Sequence, residues 1–340
     1  MSDNIIITVG IIARNEEKHI KETLISIINQ NFSKDEYEII LIDGNSEDRT
    51  KEIAFETLKN SKMSFKILNE KDFGFYGPCF ARNLVIDNSY EFSKYIAFID
   101  ADCIADKNWL PILYNRIESK QNNEEIAGVG GSRLIAKTND NMEIIINSIL
   151  TSHIATWGNP AFSNRKIEYI KSIPNYNAIY KKEILKNFRY DDKLVLSDDI
   201  ELNYRLSKHG YKFLYEPNSK IYHHETGSIV QFSKNMFRYG VNISNVIKKY
   251  KNPFIRIYAP ITVLFVISPI LLIFIALISN YASDNILILV LPYIAYLFFV
   301  LLVFLEVFFK TKKMVSLITL ILVPIQHFYY GIGIIFGLIG

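Results

Sequence analysis

Apolar positions in the first 120 residues follow two periods in turn. Ile5–Ile12 is a β-branched run closed by Ala13-Arg14-Asn15. Glu17–Asn29 then spaces Ile20, Leu24, Ile27 and Ile28 as one face of a helix. Glu38–Ile42 reads as a buried strand ending at Asp43-Gly44-Asn45-Ser46, Asp48–Lys59 as a helix and Ser64–Leu68 as a strand. Phe80–Ser89 reads as a helix and Tyr95–Ile99 as a strand ending at Asp100. This alternation predicts an α/β layer structure with a mostly parallel sheet. Such sheets bind ligands at the carboxyl ends of their strands. The polar clusters Arg14–Glu17, Asp43–Ser46 and Asp100–Asp102 all fall at such ends.

The pattern after residue 120 is less regular. Ile126–Arg133 is strand-like with a Gly130-Gly131 break, Met142–His153 is amphipathic, and Asn159–Lys166 is a polar loop. Asp198–His209 reads as a helix closed by Gly210, followed by a short strand, Lys212–Glu216. No internal repeat is present.

The last quarter changes character. Residues 1–254 carry 34 Lys and Arg and 33 Asp and Glu, whereas from Ile257 to Leu305 the only charge is Asp284. This divides the chain into a front domain, 1–254, and an all-α membrane region, 255–340. Three apolar runs, 257–279, 286–309 and 314–338, each approach the ~20 residues that cross ~30 Å of hydrocarbon as a helix. Lys248, Lys249, Lys251 and Arg256 precede the first run, the 280–285 join has no Lys or Arg, and the 310–313 join has three Lys. The positive-inside rule then predicts a multi-pass protein of the cell membrane with its front domain in the cytoplasm. The opening Met-Ser-Asp-Asn is not a cleavable signal. Gln326 and His327 fall mid-run, where a polar pair is either functional or an interhelical hydrogen bond.

Overall charge adds two exclusions. The 340 residues have a formal net charge of +3, too small for a strong basic field, so no nucleic-acid partner is expected. Only two cysteines, Cys79 and Cys103, are present, which excludes a disulfide scaffold.

Four clusters carry candidate chemistry. Asp100-Ala101-Asp102 sets two carboxylates one residue apart at a strand end, where they repel unless a cation or donors lie between them. Mg²⁺ bound through one or two carboxylates and substrate phosphates answers that need. Asp43-Gly44-Asn45-Ser46-Glu47-Asp48 reads either as a turn and helix N-cap or as a nucleoside contact. Asp198-Asp199-Ile200-Glu201 reads either as acids favoured at a helix N-terminus or as the source of a general base. Adjacent His223 and His224 on a strand point to opposite faces, so only one of them faces any one site.

Taken together and in order, these motifs resemble a family 2 inverting glycosyltransferase of the GT-A fold over roughly residues 4–240. The matching segments are Ala13-Arg14-Asn15-Glu16-Glu17, Asp43 through Thr50, Gly77-Pro78-Cys79-Phe80-Ala81-Arg82-Asn83, Asp100-Ala101-Asp102 with Trp109-Leu110, Asp198 through Leu202 with Arg205, and Phe237-Arg238-Tyr239-Gly240. Ile12 stands where the family usually has Pro. The resemblance implies a Rossmann-like domain that binds a nucleoside diphosphate sugar through Ala13, Arg14, Glu16, Asp43, Arg82, Asp100, Ala101 and Asp102. It implies Mg²⁺ or Mn²⁺ held by Asp102, Asp100 and His224. It implies a base from the pair Asp198 and Asp199, with Asp199 at the matching position, and acceptor contacts from Arg238, Tyr239 and Trp157. The tail is similar to that of enzymes extending lipid-linked glycans, so the implied acceptor is a lipid-linked glycan or polyprenyl lipid. Two other functions fit the same motifs: a polyprenyl-phosphate sugar synthase, and an inactive nucleotide-sugar-binding scaffold.

Overall fold

The computed structural model describes residues 4–74, 76–119, 125–155, 166–194, 198–251, 258–278 and 286–340. The strand-like runs form β1 (Ile7–Ala13), β2 (Tyr37–Asp43), β3 (Ser64–Asn69) and β4 (Tyr95–Asp100). The helical runs between them form α1 (Ile20–Ile28), α2 (Thr50–Lys59) and α3 (Pro78–Asn88). Then follow β5 (Cys103–Ala105), α4 (Trp109–Glu118), β6 (Ile126–Ile135), α5 (Asn141–Leu150), β7 (Glu168–Ile170), β8 (Asn177–Lys181), α6 (Lys182–Phe188), α7 (Asp198–Lys208) and β9 (Lys212–His223).

Among the described residues one nine-stranded sheet runs β3-β2-β1-β4-β8-β6-β9-β5, with β7 beside β9. Strands β1 to β4 are parallel to one another, in agreement with the pattern read from their sequence. Beyond β4 the sheet is mixed, because β8 pairs antiparallel with both β4 and β6 while β6 pairs parallel with β9. The expected Lys212–Glu216 strand continues to His223: Glu216 pairs with Gly131 and Lys220 with Ser132, so residues 217–219 bulge out and pairing resumes beyond them. The faces of the sheet are dry. Ile7, Val9, Ile11, Leu41 and Ile39 pack with Ile20, Leu24 and Ile27 of α1 on one side. Ile40, Ile42, Ile96 and Phe98 pack with Leu84 and Val85 of α3 on the other. At the far end Asn177 ties the sheet together, accepting from the Trp109 indole at 2.8 Å and donating to the Ser132 and Ser219 carbonyls at 3.0 Å.

The chain divides into two compact units, residues 1–137 with 159–224, and residues 138–158 with 225–340. The sheet belongs to the first. In the second, α5 is grouped with α8 (Ile229–Tyr250), α9 (Tyr258–Ile278), α10 (Ile286–Thr311) and α11 (Thr319–Ile339). Composition alone placed α5 and α8 with the soluble residues. Their buried faces, Ile145, Ile146 and Ile149 of α5 and Phe232 and Met236 of α8, instead share one apolar cluster with Val300, Val303 and Val307 of α10 and Leu322 and Val323 of α11.

Val290–Thr311 and Met314–Ile339 are long and apolar enough to cross a membrane, and Pro260–Leu272 is a shorter apolar stretch of α9. The ends of the first expected span, at 257 and 279, and the 280–285 join lie outside the described residues. Helix α8 lies very close to α11: a Cβ on Gly333 would sit 2.2 Å from the Phe237 carbonyl, and one on Gly240 would sit 2.2 Å from the Tyr330 carbonyl. Small residues permit this backbone approach. Glu306, the acid of α10, accepts from the backbone N–H groups of His153 and Ile154 at 2.7 and 3.1 Å and from the Ser152 hydroxyl. His327 and the Tyr296 hydroxyl hydrogen-bond across helices at 3.0 Å, the interhelical role open to it.

Candidate active site

The strand register brings the three polar clusters level. Ala13 of β1 pairs with Asp43 of β2, and Ile12 pairs with Asp100 of β4. The two turns after β1 and β2 then interlock. Asn15 and Asn45 both take positive φ, 58° and 59°, a conformation asparagine tolerates better than most residues. The Asn15 backbone N–H donates to Ser46 Oγ at 3.0 Å, and Asn15 Oδ1 accepts from the Glu47 N–H at 2.9 Å. The Glu16 N–H donates to Thr50 Oγ1 at 2.7 Å, and the Glu17 N–H donates to Asp48 at 3.1 Å. The Asp43-to-Thr50 segment is thus both a turn and a helix start, and it clamps the Ala13-to-Glu17 segment.

Asp43 is buried at the floor of this shelf, where it accepts from Asn69 Nδ2 at 3.1 Å and lies within 3.4 Å of the Ser46 N–H. Gly44 is closely packed: a Cβ there would sit 3.3 Å from Arg14 Cβ and 3.5 Å from Glu70 Oε2. Burial pushes the Glu70 carboxyl up, while the Gly77 N–H bonded to it and the Arg14 charge pull the other way. Glu70 was missed from sequence, because an acid after a strand-like Asn69 carries no motif of its own.

The Gly77-to-Asn83 segment works through two side chains of α3. Arg82 is buried between the rings of Phe98 and Tyr190, at 5.8 and 5.9 Å, and its guanidinium reaches Asp100 at 3.6 Å. Asn83 donates to the Tyr190 carbonyl at 2.9 Å and to Asp192 at 2.6 Å, and accepts from the Tyr190 N–H at 3.0 Å. It thereby fixes the strand of chain that leads toward α7. In α7 Glu201 pairs with Arg205 at 2.8 Å, and Arg205 also donates to the Phe188 carbonyl, so these two residues anchor the helix. Asp199 stands at the helix start and accepts from the Ile200 N–H at 2.7 Å.

Around Asp102 the carboxyls crowd. Burial, then the charges of Asp102, Asp100 and Asp48, push Glu16 up to about 8. Burial raises Asp102 itself, opposed by the Arg133 guanidinium. It is the His223 ring that reaches these acids, with Nε2 3.7 Å from Asp102 and 4.0 Å from Asp100. His224, the histidine expected there, turns to the other side of β9. It stacks on His19 with ring centroids 4.3 Å apart and lies 3.8 Å from Glu22, while its N–H donates to the Asp102 carbonyl. Strand alternation required the two rings to part; only the pairing of β9 with β5 decides which one faces Asp102.

Tyr176 and Arg133 complete the group, and neither was singled out from sequence. Tyr176 meets His223 edge-on at 5.5 Å, and Arg133 lies over the Tyr176 ring at 5.8 Å. Burial raises the Tyr176 hydroxyl; the Arg133 charge opposes this, and the charges of Asp199 and Asp100 add to it. Among the other expected residues, Ala13 and Ala101 are buried, Arg14 is exposed, and Ala101 accepts from Thr23 Oγ1 at 2.8 Å. Arg238 and Tyr239 lie exposed on α8 of the second unit. Trp157 lies outside the described residues, as does the side chain of Asp198.

The family described as glycosyl transferase family 2 matches residues 8–189, more than half of the chain. The chain belongs to this family. The match begins in β1 and ends just after α6, so it contains the interlocked turns, Arg82 and the β4 acids. A dolichyl N-acetyl-alpha-D-glucosaminyl phosphate 3-beta-D-2,3-diacetamido-2,3-dideoxy-beta-D-glucuronosyltransferase of Methanococcus voltae is 28% identical over 243 residues, 69% of this chain and 72% of that one. A poly-beta-1,6-N-acetyl-D-glucosamine synthase of Staphylococcus epidermidis is 29% identical over 207 residues, 60% of this chain and 46% of the synthase. The family 2 chain thus spans less than half of the synthase. Among solved structures, a mannosyltransferase from Pyrobaculum calidifontis, in complex with GDP-Man and Mn²⁺, superposes with a TM-score of 0.53 at 15% identity over 72% of this chain and 63% of that one. This likeness shows the GT-A fold, which agrees with the fold class read from the motifs.

Proposed function

We propose that this family 2 glycosyltransferase moves a sugar from a nucleoside diphosphate sugar to a hydroxyl of a lipid-linked glycan, with inversion at the anomeric carbon. One observation carries the reading: the register of β1, β2 and β4 brings Ala13, Asp43 and Asp100 level, so the turns after these strands lie beside a group of mutually repelling carboxylates. Ala13, Arg14, Glu16 and Asp43 would hold the nucleoside, with Asp43 buried and held by Asn69.

The carboxylates fit a divalent cation. Burial raises Glu16 most, and the neighbouring Asp102 and Asp100 charges raise it further, so these acids repel one another and a cation beside them would relieve that repulsion. Asp102 would hold Mg²⁺ or Mn²⁺, with Asp100 at the rim, and the ion would supply Lewis-acid neutralisation of the diphosphate leaving group. Arg82 holds Asp100 in place through their 3.6 Å ion pair. Asp199 takes the proton of the acceptor hydroxyl as that oxygen bonds to the anomeric carbon and the bond to the diphosphate breaks. The α7 anchor Glu201–Arg205 and the Asn83 clamp fix the position from which it acts.

The lipid-linked acceptor is supported by two facts. The Methanococcus relative is named for a dolichyl phosphate-linked acceptor. The second unit offers two helices able to cross a membrane, with Lys310 in the last turn of the first and Lys312 and Lys313 between them, and basic Lys248 and Lys249 end α8. By the positive-inside rule these residues and the family 2 domain face the cytoplasm. Confinement of enzyme and acceptor to one leaflet raises their effective concentration. Arg238, Tyr239 and Trp157 are assigned to the acceptor side.

The test is the product of the purified chain with its donor and lipid acceptor, examined by NMR for anomeric configuration. Inversion with a hydroxyl-linked product supports the reading. A sugar linked directly to the lipid phosphate turns it into a polyprenyl-phosphate sugar synthase.

A further inference from the structure

Cys103 and His223 are direct partners across the antiparallel β5–β9 pair. Opposed residues in such a pair share one face of the sheet, with Cβ atoms about 4.5–5.5 Å apart. Asp102 immediately precedes Cys103. One ligand atom from each of the three, a carboxylate oxygen, the thiol sulfur and a ring nitrogen, lies within 4.8 Å of the other two. Cys103 Sγ is 3.7 Å from Asp102 Oδ1, and His223 Nε2 is 3.7 Å from the same oxygen. Asp100 Oδ2, at 4.0 Å from His223 Nε2, borders the group.

This donor set differs from that of a hard cation. Mg²⁺ takes oxygen ligands and keeps several waters. Thiolate and imidazole select softer ions, Zn²⁺ and its neighbours among them. Zn²⁺ bonds to sulfur at about 2.3 Å, to imidazole nitrogen at about 2.0–2.1 Å and to carboxylate oxygen at about 2.0–2.2 Å. A contraction of the present triangle by roughly an ångström or less per donor would reach those lengths, within the range of side-chain rotation.

We propose that Asp102, Cys103 and His223 form a three-donor site for a Zn²⁺-class cation, with the Cys103 sulfur as a ligand, and that this ion and the diphosphate-bridging ion compete for Asp102. The competition rests on the transferase reading above; the thiolate site does not. When the ion binds, a sulfur–metal bond forms and the thiol proton leaves to solvent. No electron is transferred. A β9 register that presented His224 instead would leave Cys103 without its nitrogen partner, so the site depends on the same pairing that brings His223 to Asp102.

Co²⁺ is the probe, titrated into the metal-free, detergent-purified full chain. The expected result is a thiolate-to-cobalt charge-transfer band in the near ultraviolet, abolished by added Zn²⁺. The chain has two cysteines, Cys79 and Cys103, so two single variants assign the band. Cys103→Ser removes the band, Cys79→Ser keeps it, and His223→Gln alters the visible cobalt spectrum. The cobalt dissociation constant of Cys103→Ser rises beyond the about 10- to 100-fold that loss of an outer-shell partner costs. If Cys103→Ser fails to fold, zinc-edge X-ray absorption on the wild type decides, through a sulfur scatterer at about 2.3 Å. Cobalt bound with no charge-transfer band, a band that survives in Cys103→Ser, or a zinc shell without sulfur overturns the site. Donor binding with Mn²⁺ measured on such a sample leaves the transferase reading standing while this one falls.

Discussion

Glu16, at the end of the β1 turn, and Asp102, beyond β4, bear on one another so strongly that burial together with the Asp102 charge keeps the Glu16 proton in place up to about pH 8. The register of β1 with β4 makes this inevitable, since Ile12 and Asp100 are paired and each acid follows its strand by a few residues. Such repulsion between neighbouring acids is what the proposed cation would relieve.

The pH dependence of stability follows in sign. An unfolded Glu16 ionises near its ordinary value of 4.5, and the folded one near 8. Between these values the folded chain binds more protons, so stability contributed by the neutral carboxyl is full below pH 4.5 and is lost as pH rises through about 8. Melting temperatures across that window should therefore fall with rising pH in the metal-free chain. Glu16→Gln should flatten the slope. Added Mn²⁺ should raise the melting temperature most at the upper end, where no proton need be displaced. A slope unchanged in Glu16→Gln would show that another group sets it.

Asp199→Asn keeps the shape of the α7 start and removes its basicity. A general base contributes roughly 10²- to 10⁴-fold, and the variant should lose about that much turnover. Nucleoside diphosphate affinity, measured by calorimetry, should stay within experimental error, because the proposed nucleoside contacts come from β1, β2 and β4 and not from α7. Near-full turnover would remove Asp199 from its role.

Asn83 makes three hydrogen bonds to residues 190–192, two of them with the Tyr190 backbone. Asn83→Ala leaves a buried backbone N–H and a carbonyl without these partners, each worth about 1–3 kcal/mol. The expected outcome is a lower melting temperature together with a lower kcat, since the released segment leads into the Asp199 helix. Unchanged kcat in a destabilised variant would mean that the clamp is structural only.

In the second unit Glu306→Ala strips an acceptor from the His153 and Ile154 N–H groups and the Ser152 hydroxyl. Its expected mark is faster proteolysis and amide hydrogen exchange at residues 150–155, with donor affinity retained. Gly333→Leu is the harsher companion: a side chain there enters the Phe237 carbonyl and should part α8 from α11. Exchange at residues 150–155 that matches the wild type would contradict the Glu306 assignment.

Much of the first half was legible in the sequence because its information is local. β-Branched runs ending in Asp43 and Asp100, and helical spacing in Ile20, Leu24 and Ile27, state both element type and buried face. The second half depends on pairing between distant segments. The strand-like pattern read from sequence stops at Glu216, yet β9 runs on to His223 through a bulge at 217–219, because β6 resumes its pairing at Lys220. The same register decides between His223 and His224, which alternation alone leaves equal. Arg133 and Tyr176 sit in no motif; a buried arginine on a strand and a tyrosine before β8 become part of the site only once β6, β8 and β9 are adjacent. Helix α8 shows the converse, as its Lys and Arg residues disguise a face that packs with apolar helices.

The central claim is tested most directly by nucleoside diphosphate release from a panel of sugar nucleotides, using the detergent-purified full chain with Mg²⁺ or Mn²⁺, with and without a lipid extract. The account predicts release from a restricted set of donors that requires the cation, rises with lipid and collapses in Asp199→Asn. Release that is equal without the cation, without lipid and in Asp199→Asn, or no release from a chain that still binds the nucleotide, would contradict it.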